Sequence, residues 1–389
     1  MGQKSAAIVK KRALALVILL GMISLFADMT YEGARSITGP YLAILGSSAL
    51  AVGFIAGFGE FLGYSLRLLS GYIADRSQRY WSLTIIGYVI NLLAVPLLAL
   101  AGSWEIAAIL MITERMGKAI RTPPRDIMLS YATSSLGRGW GFGLHEAMDQ
   151  IGAILGPLIV AFILYLRGSY QTSFAFLSIP AILAILVLLF SRFYYPNPEK
   201  LEFYSEKLEI KGFNRIYWIY MAGIAMIAIG FADFPLIAFH FQKQSLLNPS
   251  MIPIFYAVAM GVDAISALIF GRFFDKIGIF SMVLSTLISA MFSPLVFWGG
   301  PHVALMGIIF WGIGMGAQES VMRASIAEIT PPRKRGMAYG VFNTIFGGLW
   351  FVGSIIMGYL YEFNLLYLVI ISVIAQLMAI PMFLKTIKK

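Results

Sequence analysis

About twelve long apolar stretches fill this chain, and short segments rich in Gly, Pro or charged residues separate them. A helix needs roughly 20 apolar residues to cross a bilayer, so each stretch is long enough to span a membrane once. Of the 389 residues, 59% are hydrophobic and only 12% charged, which is more apolar side chain than a soluble core absorbs. The sequence predicts an all-α, polytopic membrane protein.

The interruptions divide the chain into twelve predicted spans. They lie at 13–40, 49–74, 81–101, 104–127, 138–166, 172–192, 214–241, 250–274, 279–298, 302–328, 337–361 and 364–384. The only long polar interruption covers residues 193–213. The predicted domains are therefore an N-terminal six-helix bundle at 1–192, a cytoplasmic linker at 193–213 and a C-terminal six-helix bundle at 214–389.

The basic residues that produce the net charge of +10 fall mostly in alternate loops. They precede the first span, follow the second, fill the linker, follow the tenth and close the chain. Short cytoplasmic loops carry such an excess, so this pattern favours membrane topology over nucleic-acid binding and predicts that both termini are cytoplasmic. The first span lacks a small-residue cleavage site, so it is predicted to be a retained helix.

The residues or motifs that several classes of function require are absent from this sequence. There is no cysteine, which excludes disulfides and thiolate chemistry. Neither a phosphate-binding loop of ATPases nor the His-Glu-x-x-His and Gly-x-Ser-x-Gly motifs of hydrolases occur, and the three histidines do not form a metal site by spacing. We expect no enzyme activity, no metal and no bound cofactor.

The two halves resemble each other in sequence. The tripeptide at 26–28 recurs at 231–233, the segment 71–76 at 271–276, and the segment 139–143 at 336–340. The three offsets are all about 200 residues and occur in the same order. This pattern indicates a duplicated six-helix unit, as found in secondary transporters.

The loop after the second span reads Gly71-Tyr-Ile-Ala-Asp75-Arg76-Ser-Gln-Arg79, and a degenerate copy follows the eighth span. In this motif and in its placement the whole chain resembles prokaryotic, twelve-helix members of the major facilitator superfamily. Two further spans resemble family motifs. The fourth does so through Arg115, and the fifth through Gly152, Gly156 and Pro157, which resemble the motif linked with antiporters. The resemblance implies two pseudo-symmetric bundles and an efflux-like transporter.

The loop motif predicts a cytoplasmic gate. A carboxylate at the end of a helix can pair with a base or a helix N-terminus on the other half and so form a breakable latch. The predicted gate and latch residues are Gly71, Asp75, Arg76, Arg79, Arg121, Arg125, Asp126, Arg138, Asp275, Lys276 and Arg335. Alternatives are a solvated topogenic loop, and arginines whose long side chains reach the membrane surface.

Charged residues inside the spans predict the transport site, because ionisable groups at membrane depth are costly and usually functional. The candidates for proton coupling are Asp28, Glu32, Glu146, Asp149 and Asp233. The candidates for a substrate cavity are Tyr31, Arg35, Glu114, Arg115, Lys118, Glu319 and Arg323. The pairs Glu32–Arg35 and Glu319–Arg323 have an alternative role, which is to neutralise each other.

Prolines next to these charges predict helix breaks. Pro123 and Pro124 are expected to end the fourth helix after Arg121, and Pro235 is expected to kink the seventh beside Asp233.

Taken with the resemblance, these patterns predict a proton-coupled secondary transporter that works by alternating access and exports a small organic molecule by antiport. One alternative is a proton symporter for an organic anion or a sugar-like solute. Another is a receptor on the same fold that does not transport. We expect the proton gradient as the energy source, a small-molecule substrate, the lipid bilayer as surroundings, function as a monomer, and location in the cell membrane of a prokaryote.

Overall fold

A computed structural model describes residues 3–133, 138–198, 213–330 and 335–386 of the chain, without the side chains of 3–9, 138–140, 327 and 335–337. Throughout these residues the secondary structure is helical, without a strand. In chain order the helices are α1 (Gln3–Ile44), α2 (Ala49–Ser77), α3 (Tyr80–Leu97), α4 (Trp104–Thr133), α5 (Arg138–Arg167), α6 (Tyr170–Phe176), α7 (Ser178–Tyr194), α8 (Arg215–Gly230), α9 (Phe234–Lys243), α10 (Met251–Ile277), α11 (Phe280–Ser289), α12 (Phe292–Trp298), α13 (Pro301–Ile329), α14 (Arg335–Phe363) and α15 (Leu365–Thr386).

These helices confirm the twelve predicted spans. Three spans consist of two helices each, namely α6 with α7, α8 with α9, and α11 with α12. The third span ends in a short 3₁₀ turn at Leu98–Leu100, so it covers 80–100 against a prediction of 81–101. Because the loops are short, hydropathy alone places most boundaries within a few residues.

Within the described residues, ten helical segments are long and apolar enough to cross a membrane. The two long helices that do not meet this condition are α4 and α13. Helix α4 carries charged residues along its length, the densest set in the chain, whereas those of α13 (Glu319, Arg323 and Glu328) lie in its C-terminal half. Helices of this kind must face protein or water inside a bundle and cannot face lipid.

The prediction that α4 ends before Pro123 is wrong, because the helix continues through both prolines to Thr133. A proline at position 123 has no N–H group for the carbonyl of Ala119, which lies four residues earlier. The hydroxyl of Ser70 on α2 donates a hydrogen bond of 3.1 Å to that carbonyl. A neighbouring helix therefore supplies the missing donor, and the helix is kept.

The predicted break in the seventh span is confirmed. Helix α8 ends at Gly230 and α9 begins at Phe234, with Pro235 in its first turn. The side chain of Asp233 caps α9 by accepting a 2.8 Å hydrogen bond from the N–H of Phe234. The carbonyl of Ala232 lies in the break between the two helices. The ring N–H of Trp311 on α13 donates a 2.9 Å hydrogen bond to it, so this carbonyl has a partner.

The chain folds into two compact units. We call Met1–Ala34 with Leu62–Glu206 the first unit, and Arg35–Phe61 with Lys207–Lys389 the second unit. The first unit has an apolar core between α1, α3, α4 and α7, which includes Leu20, Tyr88, Met128 and Leu188. In the second unit α10 and α13 touch at Gly312 and Gly316, where a Cβ would meet the backbone of α10. Small residues permit this contact between the backbones of two membrane helices.

Candidate functional site

Helices α1 and α5 of the first unit lie in direct backbone contact. A Cβ at Gly152 would collide with the carbonyl of Leu25 and approach the Cβ of Asp28 to 3.1 Å. One turn further, a Cβ at Gly156 would come within 2.9 Å of the Cα of Met29. The neighbouring Pro157 is buried. The predicted Gly-Pro motif thus seats α5 against the part of α1 that carries Asp28.

Asp28 is buried, with 4% of its surface exposed. Its electrostatic neighbours are two acids and two bases, namely Asp149, Glu32, Lys118 and Arg121. They come from α1, α4 and α5, so three helices bring charge to one place. Asp28 thus lies where acids and bases of three helices meet.

Tyr31 lies between Asp28 and the bases of α4. The ammonium group of Lys118 lies over its ring, 3.8 Å from the centroid, and the guanidinium of Arg121 lies 5.8 Å away. These are cation–π contacts, which hold a cation without neutralising it. The positive charge of α4 therefore stays available to the acids around it.

Arg121 is the most deeply buried cation of this group, with 1% exposure. Its guanidinium stacks on the ring of Tyr88 at 4.2 Å. Its Nε and Nη1 atoms are buried and have no hydrogen-bond partner. A buried guanidinium with unpaired donors is costly. The arrangement suits an acceptor that arrives with a ligand or with a conformational change.

Arg125 lies one turn further along α4. Its Nε and Nη2 atoms donate to Oδ1 of Asp126 at 2.9 and 2.8 Å, and its Nη1 donates to the hydroxyl of Ser24 at 3.1 Å. Ser24 also lies beside Asp149 on α5. This chain of contacts joins α1, α4 and α5, and it connects two predicted gate residues with a predicted coupling residue.

His145 and Glu146 follow one another on α5 but differ in surroundings. His145 is 4% exposed and its Nε2 atom is buried without a hydrogen-bond partner. Its electrostatic neighbours include Arg125 and Asp149. Glu146 is exposed. Only His145 therefore belongs to the buried charged cluster.

Glu114 turns toward α3. Its Oε1 accepts a 2.6 Å hydrogen bond from Asn91, and its Oε2 lies 3.3 Å from Nε of Arg115. Glycines at 87 and 117 bring the two helices close enough for this contact. The contact of Glu114 with Asn91 joins α3 to α4. Glu114 therefore has a structural role in addition to being a candidate for the cavity.

The second unit holds a separate ion triplet. Nη2 of Arg35 lies 2.8 Å from Oδ1 of Asp233 and 3.4 Å from Oε1 of Glu60. Asp233 is 3% exposed, and Arg35 has a side-chain exposure of 13%. One cation thus binds two acids. The triplet joins Arg35 on α1 to Glu60 on α2 and to Asp233, which directly precedes α9.

The remaining cavity candidates of the second unit, Glu319 and Arg323 on α13, are exposed. Tyr339 on α14 donates to the carbonyl of Arg323 at 3.0 Å. Around the break at 231–233 the wall is aromatic. Phe231 lies 5.7 Å from the rings of both Trp311 and Trp350, measured between centroids.

The gate motif lies at the end of α2. Asp75, Arg76 and Arg79 are exposed, and Arg76 donates to the hydroxyl of Tyr72 at 3.1 Å. Gly71 lies opposite Pro123, where a Cβ would be 3.6 Å from the proline Cβ. The corresponding Asp275 and Lys276 at the end of α10 are also exposed. Arg138 and Arg335, the predicted latch partners, begin α5 and α14, and their side chains lie outside the described part of the chain.

Four contact residues were missed by the sequence reasoning. Glu60 is a charged residue inside the second span, so the rule that found Asp28 also applies to it. Asn91 is a polar residue inside the third span. Ser24 and Tyr88 carry no such signal, because serines and tyrosines are common in membrane helices.

Comparison with known proteins agrees with this architecture. A profile of the Major Facilitator Superfamily matches residues 17–354. The chain belongs to this superfamily. An uncharacterised protein of Mycobacterium tuberculosis is 38% identical over 373 residues, which are 94% of this chain and 91% of the relative. An uncharacterised transporter of the superfamily from Methanocaldococcus jannaschii is 27% identical over 380 residues, 93% of each chain.

Among solved structures, a variant of the nucleoside transporter NupG superposes with a TM-score of 0.77 over 96% of this chain and all of that one, at 14% identity. The superfamily profile and the transporter relative show that the protein is a multi-pass membrane transporter with a small-molecule substrate. Within the described residues, no group of three or more His, Asp or Glu side chains is placed to hold a metal ion.

Proposed function

We propose that this protein is a proton-coupled secondary transporter that exports a small organic molecule by antiport, with Asp28 as its main proton-binding group. The observation that carries the proposal is the position of Asp28. It is buried in the middle of a span, beside a second acid on α5 and two bases on α4. The sum of charges around it changes by one unit when it binds a proton.

Coupling follows from the way these charges are held. Arg121 rests on an aromatic ring and keeps its charge, whereas the carboxyl group of Asp28 can hold a proton. Two neighbouring carboxylates repel each other, so a proton shared between them is favoured until a cation moves closer. A movement of α1 and α5 relative to α4 therefore changes the affinity for the proton.

The fifth span supports exchange between proton and substrate. Gly152 and Gly156 hold α5 on the turn of α1 that carries Asp28, so both helices must move together. A substrate that approaches Asp28 in place of the proton, by a hydrogen bond or a positive charge, competes with it. Competition of this kind gives antiport, because the two ligands then leave the site in alternate states.

A second candidate is proton-driven uptake of an organic anion. The observation that favours it is Arg121, whose Nε and Nη1 atoms are buried without acceptors. An organic anion would bring acceptors for these donors. In that case Asp28 would carry the proton in the same direction as the anion.

The proposal also includes the topology, the oligomeric state and the energy source. The excess of Lys and Arg at both termini and in the linker supports cytoplasmic ends in a prokaryotic cell membrane. Each unit holds ion pairs formed within the same chain, which supports function as a monomer. The proton gradient, without a bound cofactor, is then the source of energy.

The test is transport in proteoliposomes that contain the purified full-length chain. A pH gradient of either sign is imposed, and the flux of a panel of organic acids, nucleosides, sugars and cationic drugs is measured together with proton movement. The variant is Asp28→Asn, and the matched control is Glu105→Gln, an exposed acid in the first turn of α4.

For antiport, protons and substrate move in opposite directions, and Asp28→Asn abolishes the proton-driven flux while the control keeps it. For symport, they move in the same direction, and anions are preferred. Flux that is unchanged by the gradient and by Asp28→Asn would disprove proton coupling. Saturable binding of a panel compound without any flux would favour the receptor.

A further inference from the structure

A cavity lies in the first unit where α2 turns into α3 and where α7 ends. Its volume is about 580 Å³, within the range of small-molecule sites. The residues that line it are Gln78, Arg79, Tyr80, Trp81, Ser82, Leu189, Arg192, Phe193, Pro196, Asn197 and Pro198. It shares no residue with the charged cluster around Asp28.

The walls of this cavity are tied together. The ring N–H of Trp81 donates a 2.9 Å hydrogen bond to the carbonyl of Tyr195, which joins the start of α3 to the residue after α7. Tyr80 donates to or accepts from Tyr131 on α4 at 3.2 Å. Gln78 holds a positive φ of 53°, which turns the chain between α2 and α3. The cavity is therefore a built feature of the fold.

The charge of the cavity is positive. Arg79 and Arg192 are its charged residues, both are exposed, and none of the described residues that line it is acidic. Two guanidinium groups at one cavity suit a phosphate, because each binds two oxygens of the same group.

The cavity lies at the depth of a membrane interface. The spans Ala49–Ser77, Tyr80–Leu100 and Tyr170–Tyr194 all begin or end at it. Phe193 and Tyr194 are 79% and 55% exposed, and Phe190 packs on Tyr194 with 4.4 Å between ring centroids. Exposed aromatic rings at the ends of spans are typical of the headgroup region of a bilayer.

We propose that this cavity binds the headgroup of an anionic phospholipid. The phosphate lies between Arg79 and Arg192, and the acyl chains follow the exposed apolar face of α7. That face continues from the cavity into the span and consists of Phe193, Phe190, Leu189, Leu186, Leu183, Ile182 and Ile179. A free phosphate ion makes no use of this surface, whereas a lipid uses both parts.

The test measures lipid binding to the purified full-length protein by native mass spectrometry, with phosphatidylglycerol, phosphatidylcholine and inorganic phosphate as separate probes. The variant is Arg79→Gln with Arg192→Gln. The matched control is Arg12→Gln with Arg215→Gln, two exposed arginines outside the cavity. Each basic residue near an anionic lipid contributes about fivefold in affinity, so the double variant is expected to bind phosphatidylglycerol about 30-fold more weakly.

The proposal requires that the wild type prefers phosphatidylglycerol over phosphatidylcholine and that the control keeps this preference. Equal binding of the two lipids, an unchanged affinity in the double variant, or displacement of the lipid by inorganic phosphate at equal concentration would each overturn it. Where the double variant does not fold, photoreactive phosphatidylglycerol is bound to the wild type and the adducts are mapped. Adducts within 78–82 and 189–198 support the site, and adducts elsewhere contradict it.

Discussion

The two units bury their polar groups in different ways. In the first unit the ionisable residues form a branched cluster, in which Asp28, Asp149, Lys118, Arg121 and Arg125 come from three helices. In the second unit a single triplet of Arg35, Glu60 and Asp233 stands beside an aromatic wall. The two units thus differ in the chemistry of their buried charges.

The difference teaches how one fold divides its tasks. A branched cluster has many arrangements of nearly equal energy, so it can respond to a proton or a ligand. A triplet with one cation has few such arrangements. An aromatic wall has no arrangement whose energy depends on charge. We therefore expect the first unit to respond to protons and the second unit to depend on its triplet for stability.

The largest expected effect is on coupling. Asp28→Asn is expected to reduce proton-driven flux in proteoliposomes to the level of protein-free liposomes, because the amide cannot bind the proton. Asp233→Asn, the corresponding change in the second unit, is expected to keep proton-driven flux, at a reduced rate. The reverse order of the two variants would break the comparison.

The next effect concerns the stability of the second unit. Loss of one member of a buried ion pair costs about 3–5 kcal/mol, and the lower end applies to Asp233→Ala because Glu60 still lies near Arg35. Asp233→Asn keeps the cap on α9, so it should be about 1 kcal/mol more stable than the alanine variant. The measurement is equilibrium unfolding in mixed micelles. Equal stability of the two variants would show that the cap contributes nothing.

A smaller effect tests the contact between α1 and α5 in the first unit. Gly156→Ala places a Cβ against Met29 and should cost about 1–3 kcal/mol and lower proton-driven flux. Gly143→Ala on the same helix has open space and should gain about 0.5–1 kcal/mol. Thermal unfolding of the pair decides this, and a similar loss in both would indicate that helix contact is not the cause.

The smallest effect tests the continuity of α4. Ser70→Ala removes the donor to the carbonyl of Ala119 and should destabilise the protein by about 1 kcal/mol. Ser320→Ala is the matched control, because Ser320 donates to Gly316 within its own helix. The same unfolding assay separates them, and equal stability of the two variants would show that Ser70 does not support the continuity of α4.

Sequence patterns predicted the spans and the kind of residues at the site, because both depend on the cost of polar groups in lipid. Lys118, Arg121 and Arg125, all named as candidates from the sequence, do lie in the cluster of the first unit. What failed was local inference at Pro123, since the hydroxyl that rescues the helix comes from Ser70, about 50 residues away. The partner of Asp233 in the triplet, Arg35, is likewise distant in sequence and close only in the fold.

The guanidinium of Arg121 has a consequence for the energy source. Arginine does not lose its proton in a protein, so the charge of the first unit's cluster depends on its acids and changes by one unit when Asp28 binds a proton. A unit charge that moves through the whole membrane field gains about 2.3 kcal/mol for each 100 mV. For exchange of a proton with an uncharged substrate, the membrane voltage, and not only the difference in pH, would then drive the cycle. Currents that fail to change with applied voltage during transport would exclude this.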